Sequence, residues 1–273
     1  MRVSTLLFAL APALALAACA TPQSLSLESA EADPWEATNR RVYALNKKLD
    51  RYAVKPVTQV YRAAVPPAGR TAVTNVYQNY SEPRNFMGYL LQGKVKLAFR
   101  SLDRLIINTT LGIGGLADNA TDLGRPQSNT DWGQTLAMWG VKPGPYVMLP
   151  FFGPGTLRDA LMTPVDFVLD PADIARNAAL SPSLYWRAGQ ITGRVVELRS
   201  RLIDAGGDAV LADSLDEYTL IKSAYLQRRR AQLYYGNPPP TAEELAEYEE
   251  AEAADPEPVP EAEAAPAPPP EKP

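Results

Sequence analysis

Apolar residues recur along this chain at helical spacing. Leu184, Ala188, Ile191, Val195, Leu198 and Leu202 follow one another at intervals of 4, 3, 4, 3 and 4, and Tyr185, Val196 and Ile203 widen the same face. That predicts an amphipathic helix of about five turns. Arg187, Arg194 and Arg201, seven apart, mark one flank of it. A second such helix passes through Val95, Phe99, Leu102 and Ile106, with Lys96, Arg100 and Arg104 on a different side. A third starts near Asp33-Pro34-Trp35-Glu36, where Asp33 suits an N-cap, Pro34 the first helical position and Glu36 a capping box. Its apolar stripe is Trp35, Val42, Leu45, Leu49 and Tyr52. A final helix is expected from roughly Asp216 to Tyr235. For the basic-flanked helices two readings stay open. The stripe is either buried in a core with the basic side in water, or laid in a membrane interface with Arg and Lys at phosphates.

One stretch breaks the pattern. Gly144–Ala160 gathers Tyr146, Val147, Met148, Leu149, Phe151 and Phe152 among Pro143, Pro145, Pro150 and Pro154. Neither a helix nor a central strand forms easily there. Proline-broken apolar backbone is tolerated at membrane depth only where protein covers it or a polar cavity lies beside it. These six residues are therefore candidates for a lipid-facing or channel surface, the alternative being a stiffened core loop.

The ends of the chain differ from its middle. Residues 1–18 have a short positive start at Arg2 and an apolar run from Leu6, too short to span a bilayer, which marks a signal peptide. It closes on Leu16-Ala17-Ala18-Cys19, with alanine rather than aspartate next. This is similar to the lipobox of bacterial lipoproteins, in which the cysteine is acylated. Cys19 is accordingly the expected lipidation site on the periplasmic face of the outer membrane, at the head of a tether over 19–32. Several acyl chains anchor stably where one does not. From 237 to 273 the chain turns acidic and proline-rich. Residues 238–273 hold 11 of the 26 prolines and 11 acidic residues against Lys272 alone. Such a tail buries too little apolar surface to offset its ordering entropy, so disorder is expected. The rest carries 26 basic and 20 acidic residues, so the overall charge of −4 conceals a mildly basic body over 33–236.

Composition closes most catalytic routes. The chain has no histidine and one cysteine, removing the commonest general base, metal ligand and intrachain disulfide. Leu111–Leu116 is glycine-rich but lacks the lysine and Ser/Thr of a phosphate loop, so a packed bend is expected. The scattered aspartates single out no acid/base pair. No enzyme activity, cofactor or metal is expected. Export and the acidic tail argue against nucleic acid, and no mature segment is apolar enough to span a membrane.

Several segments together carry a resemblance. Asp33-Pro34-Trp35-Glu36-Ala37-Thr38-Asn39-Arg40, Asn108 to Asp118, Gly133-Gln134-Thr135-Leu136, Gly144-Pro145-Tyr146 through Leu157-Arg158-Asp159, and Asp216 through Arg229 occur in an order and spacing that resemble the MlaA/VacJ family of outer-membrane lipoproteins. The resemblance covers about 33–235 and omits the tail. It implies an all-α, ring-like domain, monotopic in the inner leaflet of the outer membrane, with a central amphipathic channel. It implies removal of stray outer-leaflet phospholipids to a soluble periplasmic carrier, and association with trimeric porins. It also places a mobile hairpin over Thr163–Pro182, with Pro164, Pro171 and Pro182 as hinge candidates. The alternative is an adaptor lipoprotein that docks porins or envelope partners without moving lipid.

Overall fold

The computed structural model describes residues 25–168, 170–180, 184–241, 244–246 and 250, without the side chains of 167, 168, 180, 184, 186 and 187. Cys19, Pro182 and most of the expected tail lie outside the described residues. The chain divides into Met1–Gly236 and Asn237–Pro273; the first unit holds the architecture that follows.

The elements run α1 (Glu28–Glu31), α2 (Glu36–Leu49), a π-helical turn (Asp50–Val54), α3 (Lys55–Ala64), α4 (Pro67–Leu91), α5 (Val95–Thr110), α6 (Asn119–Asp122) and α7 (Trp132–Met138). A hairpin follows, β1 (Tyr146–Leu149) and β2 (Gly153–Thr156). Then come α8 (Leu157–Val168), α9 (Pro171–Leu180), α10 (Leu184–Asp204), α11 (Gly207–Asp213) and α12 (Glu217–Leu233). Among the described residues the protein is thus all-α apart from one small antiparallel hairpin, with Tyr146 opposite Thr156 and Leu149 opposite Gly153. The π turn has a local cause. Pro56 donates no hydrogen bond and its ring crowds the carbonyl one turn back, and the widened turn before it makes room.

Packing runs round in a closed circuit. α2 packs on β1, the hairpin on α8, α8 on α7, α7 on α4, α4 on α10, α10 on α3, and α3 returns through the π turn to α2. α4 also packs along α5. The main apolar cluster lies on one side of this circuit. Leu27, Ala30, Ala137, Met138, Tyr146, Met148, Tyr218, Leu226 and Leu233 form it, drawn from α1, α7, β1 and α12. Among the described residues no helix is long and apolar enough to cross a membrane.

The long helices are inside out. On α5 the buried positions are Ala98, Ser101, Arg104 and Asn108, while Val95, Phe99 and Ile106 are exposed. On α10 Val196, Glu197 and Ser200 are buried, while Tyr185, Ile191, Val195, Leu198 and Leu202 are exposed. On α3 Thr58 is fully buried between exposed Val57 and Val60. Of the two readings left open for α5 and α10, the buried stripe with a solvated basic flank is therefore corrected, and α3 follows the same inverted pattern. Arg104 is 1% exposed, and apolar side chains face out. The stripe expected on α2 is corrected in the same way at Trp35, Leu45 and Tyr52, which are exposed.

The start of α2 also differs from the expected capping box. The helix begins at Glu36, and Glu36 bonds Arg40 at 2.7 Å instead of reaching back to a cap. Asp33 is buried with φ 43°, and its carboxylate accepts hydrogen bonds from Asn39 and the Tyr218 hydroxyl. A distant partner outcompetes the local cap. The final helix is capped as its sequence suggests, Asp216 accepting from the backbone of Tyr218 and Thr219.

A polar interior holds only if its groups are paired. Arg104 donates to Glu82 at 2.7 Å, Thr121 at 2.9 Å, the Arg125 carbonyl at 2.6 Å and both Asp118 oxygens at 3.0 and 3.1 Å. Every guanidinium N–H is used. Burial pushes the Glu82 carboxyl above its usual pKa, against the pull of Arg104. Removing the cation from such a site strands two carboxylates. Arg104→Leu is expected to lower the unfolding free energy in detergent by about 3–5 kcal/mol. Arg104→Lys, which cannot fork across the same acceptors, should still lose about 1–3 kcal/mol. Guanidinium titration followed by circular dichroism checks both, and unchanged midpoints would contradict the pairing scheme.

Candidate functional site

Besides the outward apolar faces of α3, α5 and α10, two loop tips expose apolar residues. The first is the glycine-rich turn after α5. Asn108 and Asp118 close it: the Asn108 amide donates to Asp118 at 2.9 Å, and its carbonyl oxygen accepts the Ala120 N–H at 2.9 Å. A Cβ on Gly112 would lie 2.3 Å from the Ala117 carbonyl oxygen, so the chain folds back on itself only with glycine there. Leu111, Ile113 and Leu116 project outward from this bend. The loop is a packing device, as its apolar glycine pattern suggests.

The second tip is the hairpin. Its prolines are accommodated because a helix replaces the missing neighbouring strand. Asn39 donates to the Tyr146 carbonyl at 3.0 Å and accepts the Met148 N–H at 2.9 Å. Two helical turns later, Asn46 donates to the Leu149 carbonyl at 2.9 Å and accepts the Phe151 N–H at 2.9 Å. Each side-chain amide thus completes two backbone positions on the free edge of β1. The six candidate residues divide among three environments. Tyr146 and Met148 are buried in the apolar cluster, so protein covers them. Val147 and Leu149 are half-buried. Phe151 and Phe152 stand out at the tip. Of the hinge candidates, Pro164 lies inside α8 and Pro171 opens α9.

Both tips hold a large apolar residue in left-handed backbone: Ile113 at φ 52° and Phe151 at φ 67°. They are 75% and 77% exposed. A β-branched or aromatic side chain rarely adopts this region, which costs on the order of 1–3 kcal/mol. Nothing in the interior requires either side chain. Both tips thus hold a strained apolar side chain out at the surface.

Several segments behind the family resemblance converge on the support of the hairpin. Arg229 grips Asp131 through two bonds of 2.6 and 2.9 Å and Asp159 through a third of 2.7 Å. Tyr225 donates to Asp159 at 2.7 Å and accepts the Thr156 N–H at 3.0 Å. A Cβ on Gly133 would meet the Asp159 carboxylate at 2.3 Å, so only glycine admits this approach. Arg40 forks onto Asp216 at 3.0 and 2.6 Å. Burial alone would raise the Asp131 pKa, but Arg229 holds that carboxyl below its usual value. No catalytic geometry emerges among these residues: the charged groups pair with one another, although the Nε of Arg229 has no protein partner. Among the described residues no cluster of three or more Asp, Glu or Cys is placed to hold a metal.

The sequence profile of the family described as MlaA lipoprotein matches residues 31–232. The chain belongs to the MlaA family. It is 36% identical over 210 residues to the intermembrane phospholipid transport system lipoprotein MlaA of Shigella flexneri, covering 74% of this chain and 78% of that one. The protein of the same name from Escherichia coli K12 is 35% identical with the same coverage. That of Haemophilus influenzae is 28% identical over 83% of this chain and 89% of its own. A solved structure reported as "Structural basis for maintenance of bacterial outer membrane lipid asymmetry" superposes with a TM-score of 0.59 at 31% identity, over 74% of this chain and 98% of its own.

Within this MlaA fold the strained hairpin yields a test. Phe151→Gly relieves about 1–3 kcal/mol of backbone strain against about 0.5–1 kcal/mol of added freedom in the unfolded chain. The folded body in detergent is expected to gain about 1 kcal/mol of stability. Phe152, at ordinary φ, should gain none from the same change. Paired denaturant titrations check the contrast, and equal shifts for both variants would show that Phe151 is unstrained.

Proposed function

We propose that this protein is an outer-membrane lipoprotein that maintains lipid asymmetry by passing phospholipids from the outer leaflet toward the periplasm. The observation that carries the reading is the inversion of α3, α5 and α10, which turn apolar faces outward and bury polar ones. A monotopic body seated in one leaflet needs that arrangement, with apolar sides in acyl chains and a polar interior through which headgroups pass. Membership of the MlaA family supplies the transport class. Acylation at Cys19 would hold the body at the periplasmic leaflet, and the apolar tips at Ile113 and Phe151-Phe152 would seat it in hydrocarbon. A trimeric porin beside it and a soluble periplasmic lipid carrier are the partners this reading assigns. It gives the protein no bond-making chemistry.

Phospholipid exposed on intact cells, measured by its accessibility to externally added phospholipase, tests the proposal. Deleting the gene should raise it, and the wild-type gene should restore it. Phe151→Asp with Phe152→Asp should fold in detergent yet restore poorly, since a carboxylate at hydrocarbon depth costs about 2–4 kcal/mol. Unchanged exposed phospholipid in the deletion, with porin association lost, would instead identify an adaptor.

A further inference from the structure

The seam between α4 and α10 is polar along its length. α4 contributes Arg70, Thr74, Tyr77 and Arg84, at offsets of 4, 7 and 14 residues from the first. α10 answers with Arg194, Glu197, Arg201 and Asp204, at offsets of 3, 7 and 10. At the α3 end these groups pair off around a cleft of about 570 Å³. Arg62 and Arg70 share Asp204 at 2.7 and 3.3 Å, Arg201 bonds Glu197 at 2.8 Å, and Thr74 donates to Glu197 at 2.7 Å.

Further along α10 the pairing fails. Among the described residues Arg194 makes no ion pair and no hydrogen bond. Its guanidinium lies 5.7 Å from the centroid of the Tyr77 ring. Gly193 lets the helices approach there: a Cβ on it would sit 2.7 Å from the Tyr77 hydroxyl. Burial holds the pKa of Arg194 below the ordinary arginine value, and the nearby charge of Arg84 lowers it further. Among the described residues Arg84 forms one ion pair, with Asp170 at 3.9 Å, the carboxylates of Asp131 and Asp166 act on it from farther away, and its Nε is buried without a protein partner. The Nε of Arg70 and the hydroxyl of Tyr61 are likewise buried without one. These unmatched groups are N–H and O–H donors. Arg104 and Arg229, by contrast, each hold two carboxylates at hydrogen-bond distance, although the Nε of Arg229 is also buried without a protein partner. Arg84 and Arg194 have no carboxylate at hydrogen-bond distance, and their unused donors suit an anion made of acceptors alone.

We propose that the seam between α4 and α10 binds the phosphodiester of the lipid headgroup, with Arg194 and Arg84 as its cationic contacts and Tyr77 beside them. The inference rests on the lipid-transport reading above and names the chemistry recognised within it. A phosphodiester offers acceptor oxygens and a negative charge, which suit the fork of a guanidinium. The acyl chains would then trail toward the apolar outer faces of α3 and α10. Zwitterionic and anionic glycerophospholipids share the group, so the site reads the phosphate and not the headgroup beyond it.

The experiment uses the full-length lipoprotein in detergent and native mass spectrometry. The probes are short-chain phosphatidylglycerol, diacylglycerol with the same tails, and inorganic phosphate. Wild type should bind phosphatidylglycerol more tightly than diacylglycerol. Arg194→Gln should lose about tenfold in affinity for phosphatidylglycerol and nothing for diacylglycerol, with partial recovery in Arg194→Lys. Arg84→Gln should move in the same direction. Because Arg194 has no ion pair or hydrogen bond among the described residues and loses only its contact with the Tyr77 ring, its removal should change the melting temperature little. Wild-type affinity in both glutamine variants would overturn the site while leaving the transport reading intact. A wild-type protein that binds no phospholipid would overturn both. Inorganic phosphate that binds as tightly as the lipid would remove the lipid as occupant. Equal loss of binding and of melting temperature in Arg194→Gln and Arg194→Lys would make Arg194 structural.

Discussion

Arg104, cut off from water, spends all five of its N–H groups on protein acceptors: Glu82, Asp118, Thr121 and the Arg125 carbonyl. The rest of the structure depends on this kind of saturation. A protein that turns its valines, leucines and phenylalanines outward forgoes much of the hydrophobic drive that usually closes a fold. Its helices are fastened instead by paired charges and amides: Arg104 joins α4 to α5, Arg229 joins α7 and α8 to α12, and Asn39 and Asn46 join α2 to the hairpin. Such bonds are directional, so they fix registers between helices that apolar packing would leave freer to slide.

The same constraint connects structure to function. Outward apolar faces are costly in water and favourable in acyl chains, whereas the polar interior suits headgroups. The left-handed backbone at Ile113 and Phe151 belongs to this logic, because local stability is given up to hold an apolar side chain at the surface. The asparagine pair explains how the apolar, proline-rich hairpin persists there. Its free edge is already bonded to α2, so it presents side chains and not unpaired backbone.

Much of the helical framework was legible in the residue pattern. The periodicity at 184–202 and at 95–106 gives helices close to those seen, and Asp216 caps the last one as its position suggests. Which face points inward was not legible. An apolar stripe beside arginines looks the same whether the stripe meets protein or lipid, and burial of Arg104 depends on Glu82 and Asp118, 22 residues before it and 14 after. Asp33 misled for a similar reason, since Tyr218, 185 residues away, takes the carboxylate that a local cap would use. The bridging role of Asn39 and Asn46 left one faint trace, two amides seven residues apart on a helix preceding a strand-poor apolar segment. Arg194 left none, because what distinguishes it is a missing partner.

The central claim is that the exposed apolar faces lie in hydrocarbon. Nitroxide labels placed singly at Phe99 on α5 and Leu198 on α10, with Lys48 on α2 as the exposed polar control, test it in reconstituted bilayers. Only Cys19 competes for labelling, since the chain has one cysteine. Power saturation should find the labels at 99 and 198 accessible to dissolved oxygen and shielded from a water-soluble nickel complex, with the reverse at 48. Nickel accessibility at 99 and 198 equal to that at 48 would place those faces in water and contradict the account.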